Sequence, residues 1–229
     1  MGSTGKAAVA EFVATFALVF VAAGSAVVAG PYGSGLVGMA LASGFVLAVM
    51  VSVTTHISGG HVNPAVTVGV WAVGRIGTAR AVVYVVAQLG GAIFGALLLR
   101  LVIPPAVWKA ANLGTPLLAT GVGGGKGVLT EAILSFFLVY AMFGTILDER
   151  GPFAKTAGLT VGLVLAFDIL AAGPLTGAAA NPVRSFGPAL ISGTWDGWWV
   201  YWVGPVAGGV IAAVLYSYAF LRDAEPPVP

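Results

Sequence analysis

The stretch SGGHVNPAVTVGVWAVGR, from Ser58 to Arg75, interrupts an otherwise apolar region with an Asn-Pro pair. A second stretch, TGAAANPVRSFGPALISG from Thr176 to Gly193, contains the same pair. Asn is a preferred N-cap because its side-chain oxygen accepts a hydrogen bond from the first free backbone N–H groups, and Pro is favoured at the first helical position. Each pair therefore predicts the start of a helix.

Composition indicates the class of protein around these motifs. Apolar residues make up 59% of the 229 residues and charged residues 8%, and the mean hydropathy is +1.00. A water-soluble domain cannot cover so much apolar surface, so the sequence predicts an integral membrane protein. The net charge of +2 gives no indication of nucleic-acid binding. Six apolar runs reach the length needed to cross a bilayer, at 7–30, 36–56, 79–101, 127–148, 156–173 and 198–221.

Two shorter apolar segments begin at the Asn-Pro pairs, Asn63–Val73 and Asn181–Ser192. At about 1.5 Å per residue, each is about 15–18 Å long, roughly half the hydrocarbon thickness. A helix that ends at membrane depth is tolerated only where protein buries it or water lines it. We therefore expect two re-entrant half-helices whose N-termini meet near the bilayer centre, where their positive dipole ends repel cations.

The two halves of the chain resemble each other. AEFVATFALVFVAAG from Ala10 matches TEAILSFFLVYAMFG from Thr130, which pairs Glu11 with Glu131. Each half has an odd number of full spans, so the second half enters the membrane with the opposite orientation. The sequence predicts an all-α membrane protein with an inverted-topology repeat. Repeat 1 covers about 7–101, an external crossover loop about 102–126, repeat 2 about 127–221 and a polar tail 222–229.

Basic residues predict the orientation. With both termini in the cytoplasm, six basic residues lie on the cytoplasmic side and three outside, in agreement with the positive-inside rule. The six are Lys6, Arg75, Arg80, Arg150, Lys155 and Arg222, and the three are Arg100, Lys109 and Lys126. Short tails without a targeting signal favour a bacterial plasma (inner) membrane.

The motifs HVNPAVT at His61–Thr67 and NPVRSFGPAL at Asn181–Leu190 make the chain similar to the aquaporin, or major intrinsic protein, family. The paired Glu11/Thr15 and Glu131/Ser135 also match that family, and the resemblance extends over nearly the whole chain. It implies a homotetramer in which each subunit has its own pore for water or small neutral solutes and excludes protons and ions. The central constriction would be formed by Asn63, Pro64, Ala65, Asn181, Pro182 and Val183, with Val183 in place of the usual Ala.

The same resemblance implies a second constriction, or selectivity filter, formed by Ser43, Ile169, Ala178 and Arg184. Members selective for water typically have an aromatic residue and a histidine at the first two positions, so this ring should be wider and less polar. Ser185 and the pair Tyr201-Trp202 instead resemble water channels. Water permeation is therefore expected, and glycerol, urea, peroxide or an undissociated metalloid acid is the alternative main permeant.

Buried charged residues leave several alternatives open. The resemblance implies that Glu11 and Glu131 are structural and hold backbone N–H groups of the re-entrant loops; in a proton-coupled secondary transporter they would carry protons. Asp168 is either a vestibule residue or a packing residue, and Arg184 is either a pore residue or an interfacial anchor.

No cofactor, metal or enzyme activity is expected from the sequence. His56 and His61 have no third ligand at a suitable spacing, so we expect no metal site. An ion channel would need a carbonyl filter or a ring of like charge, which a lone Arg184 does not supply. No nucleophile, base and orienting group are grouped near the motifs, which argues against an enzyme.

Overall fold

The computed structural model describes residues 2–148, 150–151 and 154–221. Within these ranges, six helices are long and apolar enough to cross a membrane, as the sequence predicts. In chain order the helices are α1 (Ser3–Ala29), α2 (Gly35–Ser58), α3 (Pro64–Ala72), α4 (Thr78–Val102), α5 (Pro105–Ala110), α6 (Gly124–Met142), α7 (Ala157–Thr176), α8 (Pro182–Ser192) and α9 (Val200–Tyr216). The spanning helices are α1, α2, α4, α6, α7 and α9. The predicted polar tail 222–229 lies outside the described residues.

The two short helices α3 and α8 begin where the Asn-Pro pairs predict. Asn63 and Asn181 are the N-caps: Asn63 Oδ1 accepts from the backbone N–H of Ala65 at 2.8 Å, and Asn181 Oδ1 accepts from that of Val183 at 3.1 Å. Pro follows each cap at the first helical position. The predicted pair of half-helices in an inverted repeat is confirmed.

Glycines let the helices approach closely at equivalent places in the two repeats. In the first, Gly91 of α4 lies against the backbone of Phe12 in α1. In the second, Gly208 of α9 lies against the backbone of Ala132 in α6. A Cβ atom at either glycine would overlap a carbonyl oxygen of the facing helix. Small residues at such crossings are typical of membrane helices, where close van der Waals packing holds the bundle together.

Each half-helix packs against the last spanning helix of the other repeat. α3 contacts α9, where Gly69 faces the carbonyl of Gly209, and α8 contacts α4, where Gly187 faces Ala92. This exchange places the two capped helix starts next to each other in the middle of the bundle. The crossover between the repeats adds the short helix α5 and a 3-10 turn, Asn112–Gly114.

Candidate pore site

The two capping asparagines are joined by crossed hydrogen bonds. Asn63 Nδ2 donates to the carbonyl of Ala180 at 2.8 Å, and Asn181 Nδ2 donates to the carbonyl of Val62 at 3.0 Å. Each asparagine therefore bonds the residue that precedes the opposite Asn-Pro pair. A side-chain amide carries two N–H groups, so each asparagine keeps one N–H that bonds to no other part of the described chain.

The two accepting residues have unusual backbone conformations. Val62 has φ 55° and Ala180 has φ 46°, both in the left-handed region that β-branched and other L-residues rarely adopt. Such a residue costs about 1–3 kcal/mol unless the surrounding structure fixes it. In this chain, a buried glutamate fixes each loop.

Glu11 holds the first loop. Its Oε2 accepts from the backbone N–H of Val62 at 2.7 Å, and its Oε1 accepts from that of His61 at 2.9 Å. Ser58 Oγ and Gln88 Nε2 complete the set, at 2.6 Å and 2.7 Å. Glu11 is fully buried, so these four bonds replace the water that a carboxylate would otherwise need.

Glu131 holds the second loop with one bond fewer. It accepts from the backbone N–H groups of Ala179 and Ala180, at 3.1 Å and 2.7 Å, and from Thr176 Oγ1 at 2.7 Å. The equivalent of Gln88 is Pro205, because YVVAQLGGA and YWVGPVAGG occupy matching positions. Proline offers no amide, so the second loop has no counterpart of the Gln88 bond.

A narrow internal passage, which we call the lane, runs past Asn63 and Asn181. It leaves about 20 Å³ for the centres of water molecules, and one water needs about 10–15 Å³ in the same measure. Its lining comes from both repeats, and much of it is apolar, including Leu47, Val66 and Leu165. The polar residues and predicted filter residues in the lining are Ser43, His61, Asn63, Ile169, Ala178, Asn181 and Arg184.

The other predicted constriction residues lie behind the lane. Pro64, Ala65, Pro182 and Val183 are buried at the starts of α3 and α8 but do not line the space. Val183 packs in an apolar cluster with Val19 and Ala92. The departure from the usual Ala therefore fills protein interior rather than the lane.

Arg184 is held by the crossover between the repeats. Its Nη1 donates to the carbonyl of Gly114 at 2.7 Å, and the residue is only 7% exposed, so it is not an anchor at the lipid interface. Gly114 has φ 71°, and a Cβ there would overlap the carbonyl of Ala23. Nothing in the sequence distinguished Gly114 from the other glycines of the long crossover loop.

The structure shows the positions of several other residues whose roles the sequence did not decide. Ser43 lines the lane, is 1% exposed, and its hydroxyl bonds to no described residue. Asp168 is fully buried, does not line the lane, and its carboxylate oxygens bond to no described residue, which favours the packing alternative over the vestibule. His61 Nδ1 lies 3.0 Å from Thr67 Oγ1, and His56 is exposed. Among the residues described, no three His, Asp or Glu side chains form a metal-binding group.

A lane between two opposed half-helices, inside a bundle of membrane-spanning helices, defines a membrane channel. Residues 2–216 match the Major intrinsic protein family. The chain belongs to this family. It is 44% identical over 234 residues to "Aquaporin TIP4-4" of Zea mays, covering 98% of this chain and 90% of that one. It is 42% identical over 224 residues to "Aquaporin-4" of Bos taurus, covering 96% and 69%.

A solved structure has the same fold. The aquaglyceroporin from Plasmodium falciparum superposes with a TM-score of 0.84 at 21% sequence identity, covering 96% of this chain and 98% of that one. At this identity the likeness bears on the fold and not on the permeant.

Proposed function

We propose that the protein is a channel for the passive permeation of water, together with small uncharged solutes, and that it excludes ions and protons. The single observation that carries the proposal is the crossed pair of asparagine bonds. Each asparagine keeps one amide N–H beside the lane, and both are rigidly oriented by the cap and by the crossed bond. A water oxygen passing this point meets two donors and the positive ends of two helices, which disfavour a cation.

The central constriction in this proposal is formed by the two helix starts. Asn63 and Asn181 supply the donors, while Pro64, Ala65, Pro182 and Val183 form the first turns that hold them. Four hydrogen bonds around Glu11 and three around Glu131 keep the loops in place, so both acids have a structural role. This use of their oxygens argues against a proton-coupled transporter.

The selectivity filter consists of Ser43, Ile169, Ala178 and Arg184, all in the lining of the lane. Arg184 places a fixed positive charge there, which adds a barrier to cations and offers donors to a permeant. Ser43 offers a hydroxyl that bonds to no described residue. Ile169 and Ala178 leave the opposite walls apolar.

A second candidate is a channel whose main permeant is glycerol, urea, peroxide or an undissociated metalloid acid. The observation that favours it is that small Ser43 and apolar Ile169 both line the lane, because a ring without a large aromatic residue admits a bulkier solute. Several relatives are named aquaporins, and the structural neighbour is named an aquaglyceroporin. The two candidates share one lane and differ in the flux ratio of solute to water.

Membership of the family supports the remaining features of the proposal. We infer a homotetramer with one pore in each subunit, no catalytic activity, repeats over about 7–101 and 127–221, and both termini in the cytoplasm. The protein is an integral membrane protein. The bacterial inner membrane finds no support in the relatives compared, which come from a plant and a mammal.

The test is osmotic shrinkage of proteoliposomes after a hyperosmotic jump. Vesicles with the wild-type protein should shrink faster than empty ones. Ile169→Trp should abolish the difference, because the larger side chain would fill the lane. Ile133→Trp is the matched control, because Ile133 is 45% exposed on a spanning helix and should retain the flux. Equal loss in both variants, or no gain over empty vesicles with folded protein, would overturn the proposal.

A further inference from the structure

A groove lies on the outer surface of the protein between α3 and α4. It is open to the outside and has a volume of about 290 Å³. Val68 and Trp71 of α3 form one wall, and Val82, Val85 and Val86 of α4 form the other. The groove exists because α3 is a half-helix of nine residues and covers only part of the longer α4.

The lining leaves no polar group for a polar ligand. Trp71 Nε1 donates to Thr78 Oγ1 at 3.0 Å. Thr67 Oγ1 donates to the carbonyl of Asn63 at 3.1 Å and accepts from Gln88 Nε2 at 3.1 Å. The other lining groups are apolar. A water molecule needs about 2–4 polar partners, so the groove suits an alkyl chain.

The groove is continuous with the bilayer-facing surface of α4. Val82 and Val86 are 58% and 63% exposed at the lip, and Leu97 and Leu101 continue the exposed apolar face along the same helix. An exposed apolar face on a membrane-spanning helix is suited to contact with lipid hydrocarbon. A lipid acyl chain is therefore the ligand best suited to fill the groove in this face.

Basic residues lie at the same end of the protein as the groove. Arg75 is in the connection between α3 and α4, is exposed, and its guanidinium bonds to no side chain or carbonyl in the described chain. Arg80 is in the first turn of α4 and donates to Tyr84 Oη at 3.1 Å. Arg75 is the exposed one of the two, and an exposed arginine near the membrane surface attracts an anionic headgroup with about 1 kcal/mol.

We propose that this groove binds one acyl chain of an anionic phospholipid from the leaflet on the Arg75 side. The bound chain supports α3 from outside, where the bundle leaves the half-helix uncovered. Thr67 connects the two regions, because it lines the groove and bonds the backbone of Asn63. The groove is thus separated from the capped start of α3 by one side chain.

Native mass spectrometry of detergent-purified protein with phosphatidylglycerol tests the proposal. The wild-type protein should retain one more lipid per subunit than Val85→Phe, because Val85 is half-buried in the groove wall and the larger ring fills the space. Val102→Phe is the matched control, since Val102 is 65% exposed near the opposite end of α4 and should leave lipid retention unchanged. Added phosphatidylglycerol should also raise the Tm of wild type and Val102→Phe more than that of Val85→Phe.

A second variant shows whether lipid loss in Val85→Phe reflects a filled groove or misfolding. Val86→Phe alters the exposed lip and should also reduce lipid retention. Equal retention in wild type and both groove variants would overturn the proposal. The proposal would also be overturned if the groove variants kept their lipid but lost subunit association. That result would show that a second copy of the chain, and not a lipid, fills the groove. These readouts do not involve water flux, so their outcome is independent of the proposed channel function.

Discussion

At the scale of single residues, Asn63 and Asn181 each perform two tasks with one amide. The oxygen caps the residue's own half-helix, and the nitrogen joins the loop that precedes the other half-helix. Helix capping alone would account for a single Asn-Pro pair. The crossed hydrogen bonds between the two loops require both pairs. Replacing either amide therefore disturbs both halves of the site.

Ser43 determines the width of the filter in our account. Ser43→Phe should reduce glycerol or urea flux by about tenfold, equivalent to a barrier increase of about 1.4 kcal/mol. Water flux should fall less, because water is smaller. Stopped-flow light scattering on the same proteoliposomes gives both rates. A proportional fall in both fluxes would mean that Ser43 does not set the filter.

Glu131 should be more important for stability than its neighbour Ser135. Glu131→Gln replaces an acceptor with an NH₂ group that faces backbone donors, and each unpaired buried group costs about 1–3 kcal/mol. We expect a clearly lower Tm and lower yield of folded protein. Ser135→Ala is the control, because Ser135 Oγ is buried without a described partner. Similar losses for both variants would contradict the structural role of Glu131.

At the scale of helices, the crossing glycines set the distances between the spanning helices. Gly208→Ala should destabilise the fold by about 1–3 kcal/mol, the usual range for overpacking, because its Cβ would overlap the carbonyl of Ala132. Gly125→Ala is the control: it lies in α6 with open space around it, and Ala is favoured over Gly in a helix by about 1 kcal/mol. Thermal unfolding in detergent compares the two, and equal Tm values would contradict the close crossing.

An ion pair between Asp148 and Arg150 lies just beyond α6, and hydrogen bonds with Tyr216 and Phe220 connect it to the end of α9 and the turn that follows. Arg150 Nη2 lies 2.7 Å from Asp148 Oδ2 and donates to the carbonyl of Phe220 at 2.7 Å, and Tyr216 Oη donates to Asp148 Oδ2 at 3.1 Å. The hydrogen bonds from Arg150 lower the pKa of the Asp148 carboxyl to about 2. The carboxylate is therefore held in its charged form.

This pair should give a defined pH dependence. Because the pKa of Asp148 is lowered on folding, its stabilisation is present above the unfolded value of about 3.9 and is lost as the pH falls toward about 2. Asp148→Asn should lower the Tm at pH 7, and the difference from wild type should shrink below about pH 4. Asp196→Asn, at an exposed position in the loop before α9, is the control. A difference that is constant across this range would argue against the ion pair.

At the scale of the whole molecule, the sequence predicted the number and arrangement of the helices better than it predicted the contacts between side chains. Asn-Pro pairs, segment lengths and the odd number of spans predicted the inverted repeat and both half-helices. Helix ends differed: α1 begins at Ser3 rather than Ala7, and α7 continues past Pro174 to Thr176. The added turn of α1 is mostly exposed, whereas α7 extends to Thr176, which is buried and donates to Glu131 Oε1. That tertiary bond is not visible in local propensity.

The family resemblance implied the long-range bonds from the loop N–H groups to Glu11 and Glu131, but the other long-range bonds of the site could not be predicted. The positive φ values of Val62 and Ala180, and the carbonyl of Gly114 that holds Arg184, depend on tertiary contacts between distant segments. No role was predicted for Gln88, whose bond to Glu11 spans 77 positions. The side chains in the lane were identified through the family resemblance rather than through periodicity.

The most direct test of the account measures water and proton movement in the same proteoliposomes. The volume is followed by light scattering and the internal pH by a trapped dye, after an osmotic jump and a pH jump. We predict that the protein accelerates shrinkage while the pH gradient decays as slowly as in empty vesicles. Shrinkage no faster than in empty vesicles, or rapid collapse of the pH gradient, would contradict a lane that conducts water and excludes charge.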